Sequence, residues 1–144
     1  MSGWLLDVNV LLGCGWRSHA DHTALLDWLW QSREWATCPF TETGFMRISM
    51  TAAYKASFDD ARKSLATLRA LQGHHFVADD VDAASLPVLT SYKDATDGHL
   101  VTLARRHDLK LATLDETLIA KPWATGIAAN PLLAPKSVTP PSIS

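Results

Sequence analysis

Apolar positions along the chain form two kinds of pattern that alternate. Short unbroken runs occur in WLLDV (4–8), WATCP (35–39), HHFVA (74–78), LKLATLD (109–115) and TGIAAN (125–130). Continuous rather than alternating apolar runs predict strands covered on both faces, as in a parallel sheet. Between the runs, apolar residues recur three and four apart, the spacing of a helix with one buried face. Residues 19–34 predict such a helix, with Leu25, Leu26, Leu29 and Trp30 as its stripe and Asp21 as N-cap. Residues 40–55 predict a second helix despite Gly44, with Thr41 as N-cap. Residues 57–73 predict a third, with Leu65, Leu68 and either Leu71 or Ala61 inward and Gly73 at its end. Aspartates open the segment 79–92, which predicts a short helix disturbed by Pro87. The clearest helix is 94–108, with Leu100, Leu103, Ala104 and His107 along one side.

Strands alternating with helices predict a three-layer α/β/α sandwich around a central, mainly parallel sheet. Neither a repeat nor a linker divides it, so residues 1–130 read as one domain. The Pro- and Ser-rich residues 131–144 read as a C-terminal tail over the surface.

Composition narrows the function classes. The 144 residues are 47% hydrophobic and 19% charged, as in a soluble globular chain. A net charge of −2 provides no overall field for nucleic acid, which disfavours a simple basic binding module. It leaves room for an enzyme that meets nucleic acid through a metal. Cys14 and Cys38 have no zinc-like spacing and are too few for a disulfide scaffold, so they read as buried free thiols in a reducing cytosol. No segment reads as a signal peptide, and no apolar run approaches the roughly 20 residues that span a bilayer. The expected location is the cytoplasm.

The chemistry starts from a cost. Asp7 interrupts the apolar run WLLDVNVLL, and a buried unpaired carboxylate costs several kcal/mol, roughly the scale of ion desolvation. Asp7 therefore reaches water at a strand end or meets a cation. Asp115 closes another β-like run, while Glu42 and Asp97 open helices. In a parallel sheet, strand ends and the helix starts that follow them share one edge, where ligands bind. Four carboxylates can thus converge there, and mutual repulsion then calls for a cation. Oxygen donors select a hard ion, Mg²⁺ or Mn²⁺, over zinc. The reaction this favours is phosphodiester hydrolysis, in which the metal lowers the pKa of a bound water, orients the phosphate and neutralises developing charge. Taken singly, Asp97, Glu42 and Asp115 could each be a helix-capping or first-turn acid.

The segments LLDVNVLL, CPFTETGFMRI and DATDGHLVTLARRHDLKLATLDE together resemble a PIN domain of the VapC toxin type, over Trp4 to about Ala129. GWRSHADH is similar to a segment of the mycobacterial branch of that family. The resemblance implies a ribonuclease with Mg²⁺ or Mn²⁺ in a pocket of Asp7, Glu42, Asp97 and Asp115. Asp7 and Asp97 match the direct metal positions. Glu42 and Asp115 complete the pocket directly, through metal waters, or by activating the attacking water. Asn9 and Thr113 match supporting polar positions. A homodimer is implied too, as is a small antitoxin that blocks the pocket with a basic side chain and itself binds operator DNA. The implied substrate is RNA: tRNA, ribosomal RNA or messenger RNA.

Other residues carry weaker signals. His19 and His22 lie three apart but lack a third ligand. Arg47 reads as a salt-bridge residue. Arg105, Arg106 and His107 read as a solvated basic spot, Asp79, Asp80 and Asp82 as caps, and the tryptophans as packing. Two competing readings remain. A haloacid-dehalogenase-like phosphatase needs a second aspartate two positions after the first, where this chain has Asn9. A PIN-like module that binds RNA or protein without chemistry has no need of four acids.

Overall fold

The computed structural model describes residues 3–32 and 34–133. Five parallel strands form one sheet: β1 (Trp4–Leu6), β2 (Trp35–Thr37), β3 (His74–Phe76), β4 (Lys110–Ala112) and β5 (Ala128–Ala129), in the order β3-β2-β1-β4-β5. Neighbouring residues of a strand face opposite sides. Leu5, Ala36 and Leu111 enter one core with Leu100, Val101, Leu103 and Leu118. Leu6, Trp35 and Ala112 enter the other with Val10, Leu11, Leu25, Leu29, Phe45, Leu65 and Leu68.

Helices α1 (Val8–Gly15), α2 (His22–Gln31), α3 (Pro39–Ser49) and α4 (Phe58–Arg69) build the second core. Helices α5 (Ala95–Arg106) and α6 (Glu116–Ile119) build the first. The expected α/β/α sandwich is therefore the observed one, with every strand pairing parallel. Leu132 packs against the second core, whereas most of the expected tail, residues 134–144, lies outside the described residues. Among the described residues, no helix is long and apolar enough to cross a membrane.

Four local expectations need correction. Residue 8 does not extend the first strand; the chain turns at Asp7 into α1, which the apolar pattern did not separate from the strand. Trp30 is 66% exposed rather than part of the α2 stripe, whose buried residues are Leu25 and Leu29. Helix α3 starts at Pro39 with Cys38 as N-cap; Thr41 sits inside, accepting from Cys38 N–H at 3.1 Å. Proline suits that first helical position because it has no N–H to leave unpaired. The segment 79–92 holds only short 3-10 turns at Ala83–Ser85 and Tyr92–Asp94. Gly73 does lie near a helix end, at φ +92, in the turn from α4 into β3.

Gly44 has a packing reason to interrupt α3. A Cβ there would stand 2.7 Å from Val8 Cγ2, so its absence lets α3 lie directly against the start of α1. Val8 is β-branched and rotates poorly. Gly44→Ala should therefore destabilise the protein by about 1–3 kcal/mol through overpacking, despite alanine's better helix propensity. Urea unfolding measures this, and a variant as stable as the parent would show that Val8 yields freely.

Candidate active site

The sheet reverses its strand order between β1 and β4, and ligand crevices of open parallel sheets form at such points. Leu6 is in register with Ala112, so Asp7 and Thr113 emerge side by side from the two strand ends. Asp7 N–H still donates to Ala112 O at 2.9 Å, after which the chain enters α1. Asp7 caps that helix: its Oδ1 accepts from Val8 N–H at 2.7 Å. Its Oδ2 accepts from Thr113 Oγ1–H at 2.7 Å. Burial raises the Asp7 pKa above the usual carboxylate value; the Thr113 and Val8 bonds oppose that, and the Asp115 charge adds to it.

The Thr113 hydroxyl is saturated. It donates to Asp7 and accepts from Asn9 Nδ2–H at 3.3 Å and from Asp115 N–H at 3.1 Å. Asn9 Oδ1 in turn accepts from Leu114 N–H at 3.1 Å. Asn9 and Thr113 thus tie the start of α1 to the end of β4. Both ends of the Asn9 amide are engaged, and an amide cannot serve as the acid that a dehalogenase-type phosphatase requires.

Asp115 follows β4 and caps α6, its Oδ1 accepting from Thr117 and Leu118 N–H at 3.0 and 3.1 Å. Asp97 lies in the first turn of α5, whose buried Leu100, Val101 and Leu103 anchor it on the sheet. Burial pushes the Asp97 pKa to about 6, helped by the charges of Asp7, Asp115 and Asp94 and opposed by Lys121. Asp7, Asp97 and Asp115 therefore lie close enough at the strand-end edge for their charges to act on one another. Sequence reasoning passed over Asp94, which is buried beside them and paired with Lys121 at 3.3 Å. The signal was available: DATD puts two acids three apart, on one side of a helical turn.

Glu42 stands in the first turn of α3, just past the end of β2. Its partners differ from those of the other acids. Thr37 Oγ1–H donates to its Oε2 at 2.5 Å and Arg69 Nη1–H to its Oε1 at 3.0 Å. It is not among the charges that raise Asp7 or Asp97.

The donor set fits a hard divalent cation: oxygen only, with carboxylates whose mutual repulsion a positive charge would relieve. Among the described residues, no three Asp, Glu, His or Cys side chains are grouped as a ready metal cage.

The remaining polar residues serve the scaffold. His19 Nδ1 accepts from Asp21 N–H at 3.0 Å, and His22 Nδ1 bonds Gly13 O at 2.8 Å. Arg106 binds Asp80 O and Ser85 Oγ at 2.5 and 2.8 Å, tying the 79–85 segment to α5. Asp82 caps its 3-10 turn through Ser85 N–H at 3.1 Å. Among the described residues, Arg47 is exposed and forms no ion pair. Cys14 and Cys38 are free and buried, and burial pushes the Cys14 thiol up to about 12.

A parallel sheet with carboxylates gathered at its switch point has the architecture of a PIN-type domain. Comparison with known proteins makes the assignment specific. No family model matches the chain. Ribonuclease VapC38 of Mycobacterium tuberculosis is 43% identical over 118 residues, covering 77% of this chain and 84% of that protein. Ribonuclease VapC39 of the same species is 38% identical over 124 residues, covering 79% and 89%. Ribonuclease VapC29 is 35% identical over 117 residues, covering 79% and 86%. The chain belongs to the VapC ribonuclease family. The crystal structure of VapBC2 from Rickettsia felis, bound to a DNA fragment from their promoter, shares the fold with a TM-score of 0.58 at 11% identity. The match covers 90% of this chain and 98% of that one.

The Asp97 shift has a definite sign. A carboxyl whose folded pKa is raised binds more protons folded than unfolded between the two values, so its contribution to stability falls as pH rises through that window. For Asp97 the window runs from the ordinary aspartate value of 3.8 to about 6. In EDTA-treated protein, Asp97→Asn should raise Tm relative to wild type at pH 7.5, and raise it less at pH 4. Equal differences at both pH values would show that Asp97 carries no such penalty.

Proposed function

We propose that this protein is a Mg²⁺- or Mn²⁺-dependent endoribonuclease, the toxin of a type II toxin–antitoxin pair. The observation that carries the reading is the convergence of Asp7, Asp97 and Asp115 at the sheet's switch point, where burial, helped by the charges of Asp7 and Asp115, pushes Asp97 up to about 6. Family membership supports ribonuclease chemistry over other uses of such a crevice.

Asp7 and Asp97 would hold the cation directly, and Asp115 and Glu42 directly or through its waters. When bound, the ion supplies a water of lowered pKa and positive charge against the phosphate. The chain's own residues do the rest. Thr113 keeps Asp7 Oδ2 aimed across the crevice, and Asn9 keeps Thr113 in place. Asp115 commits Oδ1 to its helix cap, which leaves Oδ2 for the crevice. A carboxylate oxygen of Glu42 or Asp115 takes the proton of the attacking water. In-line attack of that water on phosphorus breaks the P–O3′ bond; the departing oxygen takes a proton from solvent, which leaves a 5′-phosphate and a 3′-hydroxyl.

The partners in this reading are an RNA substrate, with tRNA as one candidate, and a small cognate antitoxin that blocks the acids with a basic side chain. Operator DNA would be met through the antitoxin alone. The working unit would be a cytoplasmic homodimer. The VapBC2 assembly, a complex that shares this fold, supports the antitoxin pairing.

Purified protein should cleave RNA with Mg²⁺ or Mn²⁺ and stop in EDTA; cleavage that persists in EDTA overturns the metal mechanism. Asp7→Asn and Asp97→Asn should each lower the rate by at least about 100-fold, more than loss of an outer-shell partner costs. Growth arrest on expression should disappear with them. Full activity in both variants would refute the site. A small protein encoded by the neighbouring upstream reading frame should copurify and silence cleavage.

A further inference from the structure

The geometry points to Arg69 as the positioning residue that sets the Glu42 carboxylate in the active crevice, through a hydrogen-bonded chain running His74–Thr37–Glu42–Arg69. This rests on the ribonuclease reading and deepens it. Arg69 ends α4 and reaches across to α3, with its Nη1 3.0 Å from Glu42 Oε1. Phe76 lies beneath its guanidinium, 5.1 Å from the ring centroid, and limits where the fork can swing. The other Glu42 oxygen accepts from Thr37, which is fully buried.

Thr37 has one hydroxyl proton and gives it to Glu42. His74 Nε2, 2.7 Å from Thr37 Oγ1, must then be the donor of that contact. The His74 ring is held against Trp35, 4.7 Å between centroids. Both Glu42 oxygens are therefore fixed by groups that are themselves fixed.

Stability is a poor explanation for this arrangement. The Glu42 side chain is 13% exposed but its Arg69 partner is 43% exposed, so water screens the pair and reduces what it adds to stability. Orientation explains more. A fourth anion placed freely beside Asp7, Asp97 and Asp115 would swing out toward solvent. A guanidinium on one oxygen and a buried hydroxyl on the other hold Glu42 just past β2, at the edge where the parallel strands that carry Asp7 and Asp115 also end.

The test is a mutant cycle on a fluorophore-labelled RNA that the wild type cleaves with Mg²⁺. Arg69→Ala should lower kcat by about 10- to 100-fold, the cost of roughly an ångström of misplacement, with KM changed less than about twofold. Arg69→Lys keeps the charge and one donor, and should recover part of the loss while preserving the fold in thermal melting. In a Glu42→Gln background, Arg69→Ala should cost little more. Three results overturn the inference: a raised KM at unchanged kcat, which would make Arg69 a phosphate contact; full additivity with Glu42→Gln; or wild-type kinetics in Arg69→Ala. A wild type that cleaves no RNA at all overturns the ribonuclease reading instead, and the positioning role with it.

Discussion

Carboxylates at the mouth of a buried parallel sheet repel one another, and the surrounding structure is arranged to hold them there. At Asp7, burial, more than any neighbouring charge, raises the pKa. What keeps Asp7 in place is one hydroxyl proton from Thr113 and one helix N–H from Val8. Both come from chain that the β1–β4 pairing has already fixed in register. The same threonine accepts from Asp115 N–H and from Asn9, so a single side chain couples two of the acids to the sheet. A cation among these carboxylates would relieve the repulsion, which makes the crevice a place where folding cost and chemistry meet.

Helix capping and catalysis compete as explanations for these acids when only the sequence is considered, and the geometry divides them. Asp7 and Asp115 do cap helices, each through Oδ1, while Oδ2 points to other uses. Glu42 and Asp97 lie in first turns without serving as caps; Cys38 and Asp94 occupy those positions. A carboxylate has two oxygens, so one can serve the fold and the other the site. That is why the capping interpretation of Asp115 was sound and yet did not exclude a functional one.

The alternation of strands and helices was legible because continuous apolar runs and helical spacing differ in period, and a parallel sheet then places the ends of β1 and β4 on one edge. Helix α1 was not legible. Val10, Leu11, Leu12 and Cys14 are all buried, so its short sequence extends the apolar run of β1 without a periodic break. Only the backbone turn at Asp7 separates the two elements. Segment 79–92 misled for the opposite reason: its aspartates do cap and pair, but they organise 3-10 turns and contacts to α5 rather than a helix. The convergence of Asp7, Asp97 and Asp115 could be argued from sheet topology alone. The Glu42 environment could not, since Thr37, Arg69 and His74 come from three elements whose side-chain meeting no spacing encodes.

The site thus has two parts with different electrostatics. On the β1–β4 side, burial and neighbouring carboxylates raise the proton affinity of Asp7 and Asp97, and Lys121, which opposes this at Asp97, is paired with Asp94. On the β2–β3 side, one acid is held by an arginine and a buried hydroxyl. Gly44 governs the spacing between them, because it sets how closely α3, carrying Glu42, approaches Val8 beside Asp7. The place of Glu42 is therefore set by helix packing at Gly44 and by the Arg69 and Thr37 bonds, not by the three acids across the sheet edge.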